Sequence, residues 1–245
     1  MSTLTKPWES TRLLDIVVDC PKRNDLLDWL FQQAKARGRS CHMVTMNAEM
    51  AYAATEDPAF MQVLNQADLI IPDGIGVVWA LKRQGIQIQR LPGVELVEAI
   101  FKAAIAQNLK LAILGSSPDT LAAFTAKLDV ATREQALVFC QDGYFKPEQE
   151  AELISRLEQA QPDILFVALG VPRQENWIAS HRDSLRIPVL IGVGGSFDVL
   201  SGRLQRAPVW MQRMHLEWLY RLYQQPTRWR RMLALPQFVM KVLRT

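Results

Sequence analysis

Asp73 stands in the segment IIPDGIGVVWA (70–80), directly after a short apolar run. Pro-Asp-Gly is a common turn sequence. A carboxylate delivered to the end of a strand is also free to accept a proton. TMNAEM (45–50) places Thr45 and Asn47 where another apolar run passes into a helical pattern, so an N-cap is the plain reading there. ILGSS (113–117) puts Gly115 in a small-residue loop before a helix N-terminus, a setting that suits phosphate. In QDGYF (141–145), Tyr144 either stacks on a planar ligand or packs. ALGVPRQE (168–175) holds Gly170, which lets a ligand approach the backbone, then Pro172, Arg173 and Gln174. Two exposed polar side chains, Arg173 and Gln174, are expected at the start of that helix. IGVGGSFDVLSGRLQRAP (191–208) carries Gly194 and Asp198.

The glycines near 192–195 and at 74–76 do not complete G-x-G-x-x-G, so a dinucleotide fingerprint is missing. The sequence has no G-x-x-x-x-G-K-[ST], no H-E-x-x-H and no G-x-S-x-G. His42, His181 and His215 are scattered, and no Asp-x-Asp pair occurs, so no metal site is expected. Cys20, Cys41 and Cys140 are far apart and odd in number, the pattern of unpaired thiols in a reducing compartment.

These loops need a frame that gathers them. Strand-like runs lie at 13–18, 41–46, 68–71, 111–115, 136–140, 163–170 and 188–195. Helical patterns lie between them, at 23–37, 48–66, 75–84, 94–107, 118–129, 147–160 and 173–183. That alternation predicts an α/β fold: a Rossmann-like, mostly parallel sheet flanked by helices on both faces. In such sheets ligands bind beyond the carboxyl ends of the strands, where the loops above fall.

After Gly195 the strand rhythm stops. A helix is expected from Pro208 to before Pro226, then a second over 227–244, capped by Thr227 and kinked at Pro236. The chain thus divides into a core over 1–200 and a basic helical appendage over 201–245. The appendage holds nine Lys/Arg against one acid, Glu217, whereas the other 200 residues hold 19 basic and 24 acidic side chains. Arginines interleaved with Trp and Leu suit an anionic membrane surface. No nucleic-acid-binding motif accompanies the charge. The amino terminus lacks an apolar signal core, and no run of 18 apolar residues is present.

Taken in order and spacing, TMNAEM, PDGIGVVWA, RLPGVEL (90–96), ILGSS, QDGYFKPEQ, LGVPRQE and GVGGSFDVLSGRLQRAPVWMQRMHLEWLYRL (192–222) resemble the WecG/TagA/CpsF glycosyltransferases, over about residues 12–232. The resemblance implies transfer of a sugar from a UDP-sugar to a sugar on undecaprenyl diphosphate, with inversion and with no metal or other cofactor. N-acetylmannosamine, its uronic acid and glucose are the candidate sugars. It makes Asp73 the general base, with Thr45, Asn47 and Arg90 beside it. Gly115, Tyr144, Gly170, Pro172, Gln174, Gly194 and Asp198 fall to the nucleotide-sugar, and Arg206, Arg213, Arg221 and Arg228 to the diphosphate or lipid acceptor. It also implies a cytoplasmic enzyme, peripheral on the inner face of the plasma membrane, with no nucleic-acid partner, and admits a homo-oligomer. Two other classes remain open: a Rossmann-like oxidoreductase, and a non-catalytic basic module that binds membrane or nucleic acid.

Overall fold

A computed structural model describes residues 4–208, 210, 211, 214 and 216–244, with the side chains of residues 221, 228 and 230 outside the description. Six strands form one parallel sheet: β3 (Cys41–Met46), β4 (Leu69–Pro72), β5 (Leu111–Gly115), β6 (Leu137–Gln141), β7 (Ile164–Ala168) and β8 (Val189–Gly192), in the order β4-β3-β8-β7-β5-β6. Apart from the edge strand β6, each is buried along its whole length, which is why they read as continuous apolar runs.

Side-chain alternation sorts the two faces. Met43, Ile71, Ile113, Phe166 and Ile191 point to the face covered by α1 (Arg23–Ala36) and α5 (Gly93–Gln107). On the other face, Val44 and Ile70 meet α2 (Ala48–Glu56), α3 (Pro58–Asn65) and α4 (Ile75–Arg83). Further along that face, Leu114, Leu165 and Leu190 meet α7 (Glu150–Ala160) and α8 (Arg173–Leu185). Two short helices, α6 (Pro118–Thr125) and α9 (Ser196–Leu200), complete the loops after β5 and β8.

Three expectations are corrected. The run at 13–18 is not a strand but the end of a hairpin, β1 (Ser10–Leu13) and β2 (Ile16–Asp19), paired antiparallel. Leu14 and Asp15 form its two-residue turn, both left-handed at φ 50° and 65°. Asp19, buried, holds the hairpin to the sheet by accepting from Lys6 Nζ at 2.7 Å, Ser10 Oγ at 2.8 Å and the Ile70 amide at 3.0 Å. The helix expected over 48–66 breaks at Asp57, whose side chain accepts from the Ala59 and Phe60 amides, with Pro58 opening α3.

Both tail helices are also divided: Pro208 and Leu216 are non-helical, so the first does not run unbroken from Pro208, and its residues 209, 212, 213 and 215 lie outside the description. After α10 (Glu217–Gln224) a 3₁₀ turn at Pro226–Arg228 leads into α11 (Trp229–Met232) and then α12 (Ala234–Arg244). Pro236 lies in the first turn of α12, where no intrahelical N–H is needed, so the helix restarts there rather than kinking. Phe238 and Val242, four residues apart, are buried in the cluster of α2 and α4. The last helix therefore returns to the body, while Val239, Met240 and Leu243 face outward. No helix among the described residues is long and apolar enough to cross a membrane.

Candidate functional site

All six parallel strands end on one edge, and the loops singled out by sequence gather there. The β4–α4 turn packs tightly on the β3–α2 turn: a Cβ on Gly74 would lie 3.0 Å from the Asn47 Cβ. Leu91 donates its amide to the Pro72 carbonyl at 2.9 Å, tying the start of α5 to the end of β4. A Cβ on Gly93 would then stand 3.3 Å from the Thr45 side chain. Thr45, Asn47, Asp73 and Arg90 thus form one cluster. The Gly93 amide donates to Asp73 Oδ1 at 3.1 Å, and Arg90 Nε donates to the Asp73 carbonyl at 2.7 Å. The half-buried carboxylate sits at the positive end of α5, which suits an ionised acceptor.

The neighbours of Asp73 have visible local roles. Asn47 Oδ1 accepts from the Met50 amide at 2.9 Å, so it does cap α2. Thr45 is buried, and its hydroxyl donates to the Gly192 carbonyl at 2.8 Å, crossing from β3 to β8.

A second group lies along the ends of β5 to β8. Gly115 passes the Ala168 backbone so closely, at φ 120°, that a Cβ would fall 2.4 Å from the Ala168 carbonyl carbon. Tyr144 is 76% exposed, with its ring open to solvent and its amide tied to Asp142 Oδ1 at 2.9 Å. Asp198 accepts from Thr120 Oγ1 at 3.0 Å, which joins α9 to α6. Pro172 is the N-cap of α8. Gly170 and Gly194 have φ of 80° and 50°, and no atom of another described residue, their chain neighbours aside, lies within 4 Å of where their Cβ atoms would be.

The expectation that Gln174 is exposed is corrected. Arg173 is exposed, but Gln174 is 1% exposed, and its Oε1 accepts from the Gly170 amide at 3.2 Å and the Gly194 amide at 3.1 Å. One side chain thus bridges the loops after β7 and β8. Its Nε2 donates to Glu175 Oε1 at 2.7 Å. Glu175 was not singled out by sequence: it is fully buried, and burial pushes its pKa up to about 7. Two adjacent polar residues opening a helix give no signal of burial.

The tail meets the site through ion pairs that the sequence also left unseen. Arg90 Nη1 donates to Glu217 Oε2, at the start of α10. Arg206 lies between Glu95 Oε1, at 2.5 Å, and Glu217 Oε1, at 3.6 Å. Burial works against its charge, but those two carboxylates outweigh it and hold its pKa above the usual arginine value. Arg23 completes the chain of charges on Glu95 at 3.0 Å. Beneath this network is a cavity of about 230 Å³, lined by Arg23, Arg90 and Glu95 among others. Arg213 lies outside the described residues, and of Arg221 and Arg228 only the backbone is described. A larger cavity of about 360 Å³, beside Lys110 and Asp163, opens at the opposite edge of the sheet and belongs to no part of this site. No three His, Cys, Asp or Glu side chains come together as a metal cluster among the described residues.

Residues 11–245 match the family model described as the glycosyl transferase WecG/TagA/CpsF family. The chain is 37% identical over 202 residues to a Bacillus subtilis (strain 168) protein named N-acetylglucosaminyldiphosphoundecaprenol N-acetyl-beta-D-mannosaminyltransferase, covering 82% of this chain and 78% of that one. It is 36% identical over 209 residues to a protein of the same name from Bacillus spizizenii (strain ATCC 23059 / NRRL B-14472 / W23), covering 85% and 80%.

Proposed function

The chain belongs to the WecG/TagA/CpsF family of glycosyl transferases, and from that membership we propose that it transfers N-acetylmannosamine from a UDP-linked donor to N-acetylglucosamine on undecaprenyl diphosphate. The observation that carries the mechanism is the clustering of Asp73 with Thr45, Asn47 and Arg90 at the carboxyl ends of β3 and β4, beside two loops whose glycines face open space. Asp73 takes the proton from the acceptor hydroxyl. The oxygen so freed attacks the anomeric carbon, and the bond to UDP breaks on the opposite face, inverting that centre. Tyr144, Gly115, Gly170, Gly194 and Asp198 border the place for the nucleotide.

The departing diphosphate gains negative charge. Arg90 and Arg206 stand nearby, each paired with a carboxylate of Glu217 or Glu95 that a diphosphate can displace. On this reading no metal is required. Trp218, Leu219 and Trp229, all exposed on the tail, bring the enzyme to a membrane that carries the lipid acceptor.

The test is UDP release from UDP-N-acetylmannosamine, UDP-N-acetylglucosamine and UDP-glucose, with a short-chain lipid-diphosphate-N-acetylglucosamine, with and without EDTA. Acceptor-dependent release from the first donor alone, unchanged by EDTA, is expected. Release abolished by EDTA overturns the metal-free mechanism, and release from another donor overturns the sugar assignment.

A further inference from the structure

The carboxyl of Glu175 has a task that the mechanism above leaves unassigned. Gln174 and Glu175 both reach under β8 through the gap left by Gly192: a Cβ there would lie 2.8 Å from Gln174 Nε2 and 2.8 Å from Glu175 Oε1. In that gap Glu175 Oε1 accepts from Gln174 Nε2, which leaves Gln174 Oε1 turned to the Gly170 and Gly194 amides. Glu175 Oε2 is buried with no hydrogen-bond partner among the described residues. An amide can present either end to the two glycines, and only the oxygen can accept from both.

We propose that Glu175 is a positioning residue for donor binding: its carboxyl fixes the Gln174 amide so that one oxygen sets the spacing of the Gly170 and Gly194 loops. Without it the Gln174 NH₂ is buried and has lost its acceptor, a costly state. Rotation of Gln174 toward the open loop edge relieves that cost and releases both glycine amides together. Because Oε2 lacks a partner, the role needs an acceptor oxygen at Oε1 and not a negative charge. The inference rests on the reading that UDP lies over these two loops.

The experiment is calorimetric titration of UDP into the full-length chain, together with donor and acceptor KM, kcat and thermal melting, for wild type, Glu175→Ala, Glu175→Gln and Gly192→Ala. Glu175→Ala is expected to weaken UDP binding and raise donor KM about tenfold, the loss of roughly one buried hydrogen bond. The kcat at saturating donor and the acceptor KM should stay within about threefold. Glu175→Gln, which keeps a carbonyl at the same reach, should recover most of the donor affinity. Gly192→Ala, which fills the gap from the other side, should reproduce the Glu175→Ala defect and serves as the second variant should Glu175→Ala fold poorly. Wild-type UDP affinity in Glu175→Ala, or a Glu175→Gln defect equal to that of alanine, overturns the inference. So does a parallel loss of kcat, acceptor KM and melting temperature with no selective donor effect. No UDP binding by the wild type would instead refute the donor-site reading, and the inference would fall with it.

Discussion

Asp73→Asn separates chemistry from structure more cleanly than any other change at this site. The contacts of Asp73 described above survive in asparagine: its side-chain oxygen can still accept from the Gly93 amide, and Arg90 Nε holds the main-chain carbonyl, which does not change. The Asp73 amide still donates to the Met46 carbonyl at 2.9 Å. Melting temperature and UDP affinity should therefore match the wild type. What asparagine lacks is the ability to take a proton. A positioned base contributes about 10²–10⁴-fold, or roughly 3–5.5 kcal/mol of barrier at 1.36 kcal/mol per decade. The expected result is a drop in kcat of about a thousandfold, with donor and acceptor KM little changed, in the coupled UDP-release assay. Asp73→Ala should lose as much rate and some stability, since the α5 amide then has no carboxylate. A kcat for Asp73→Asn within tenfold of wild type would refute the base assignment, because no other contact named above could hide so small a loss.

Phe238→Ala removes a fully buried ring from the cluster of α2 and α4 and should cost about 3–5 kcal/mol, read as faster amide exchange throughout α12 and a lower melting temperature. Unchanged exchange there would mean that α12 is held by something other than its apolar face. Glu175 gives a pH dependence of stability. Its folded pKa is raised from 4.5 to about 7, so the unfolded chain releases the proton first and stability falls as pH rises. Between pH 5 and pH 8 the wild type should lose on the order of 2–3 kcal/mol relative to Glu175→Gln in denaturant melts, and identical pH profiles would refute a raised carboxyl pKa.

The frame was legible because its strands are buried on both faces. A strand such as CHMVTM or LAILG has no polar side to show, and the break to a helix after each is marked by Asn47, by Asp73-Gly74 or by Ser117-Pro118. The hairpin was misread because LLDIVV runs through its own turn with neither Gly nor Asn to announce it. Thr45, Asn47 and Asp73 were readable as a set because each stands at the end of a strand or directly after it, and parallel strands deliver such residues to one edge. The burial of Gln174 and Glu175 was not, since what makes room for them is the missing Cβ of Gly192 on a different strand. Glu95 and Glu217 were hidden for a related reason: they are 122 positions apart in sequence, and only the return of the tail puts Arg206 between them.

The sequence divides the basic tail between a diphosphate or lipid acceptor and a membrane surface, and gives no sign that part of it pairs with the body itself. Arg203 pairs with Asp119, Arg206 with Glu95, Arg231 with Glu49 and Lys241 with Glu56, so the mildly acidic body meets the tail with carboxylates of its own. These pairs are largely exposed and screened by salt, whereas Phe238 and Val242 are not. Docking of α12 and attraction to an anionic membrane should therefore respond differently to ionic strength. On vesicles containing anionic lipid, binding should weaken several-fold between 50 mM and 500 mM salt, leaving a remainder carried by exposed side chains such as Trp218 and Leu243. Over the same range amide exchange in α12 should hardly change, because its anchor is apolar. If exchange in α12 instead rose in step with vesicle release, the ion pairs would be holding the tail to the body. The division between an apolar anchor facing inward and a cationic surface facing the lipid would then be wrong.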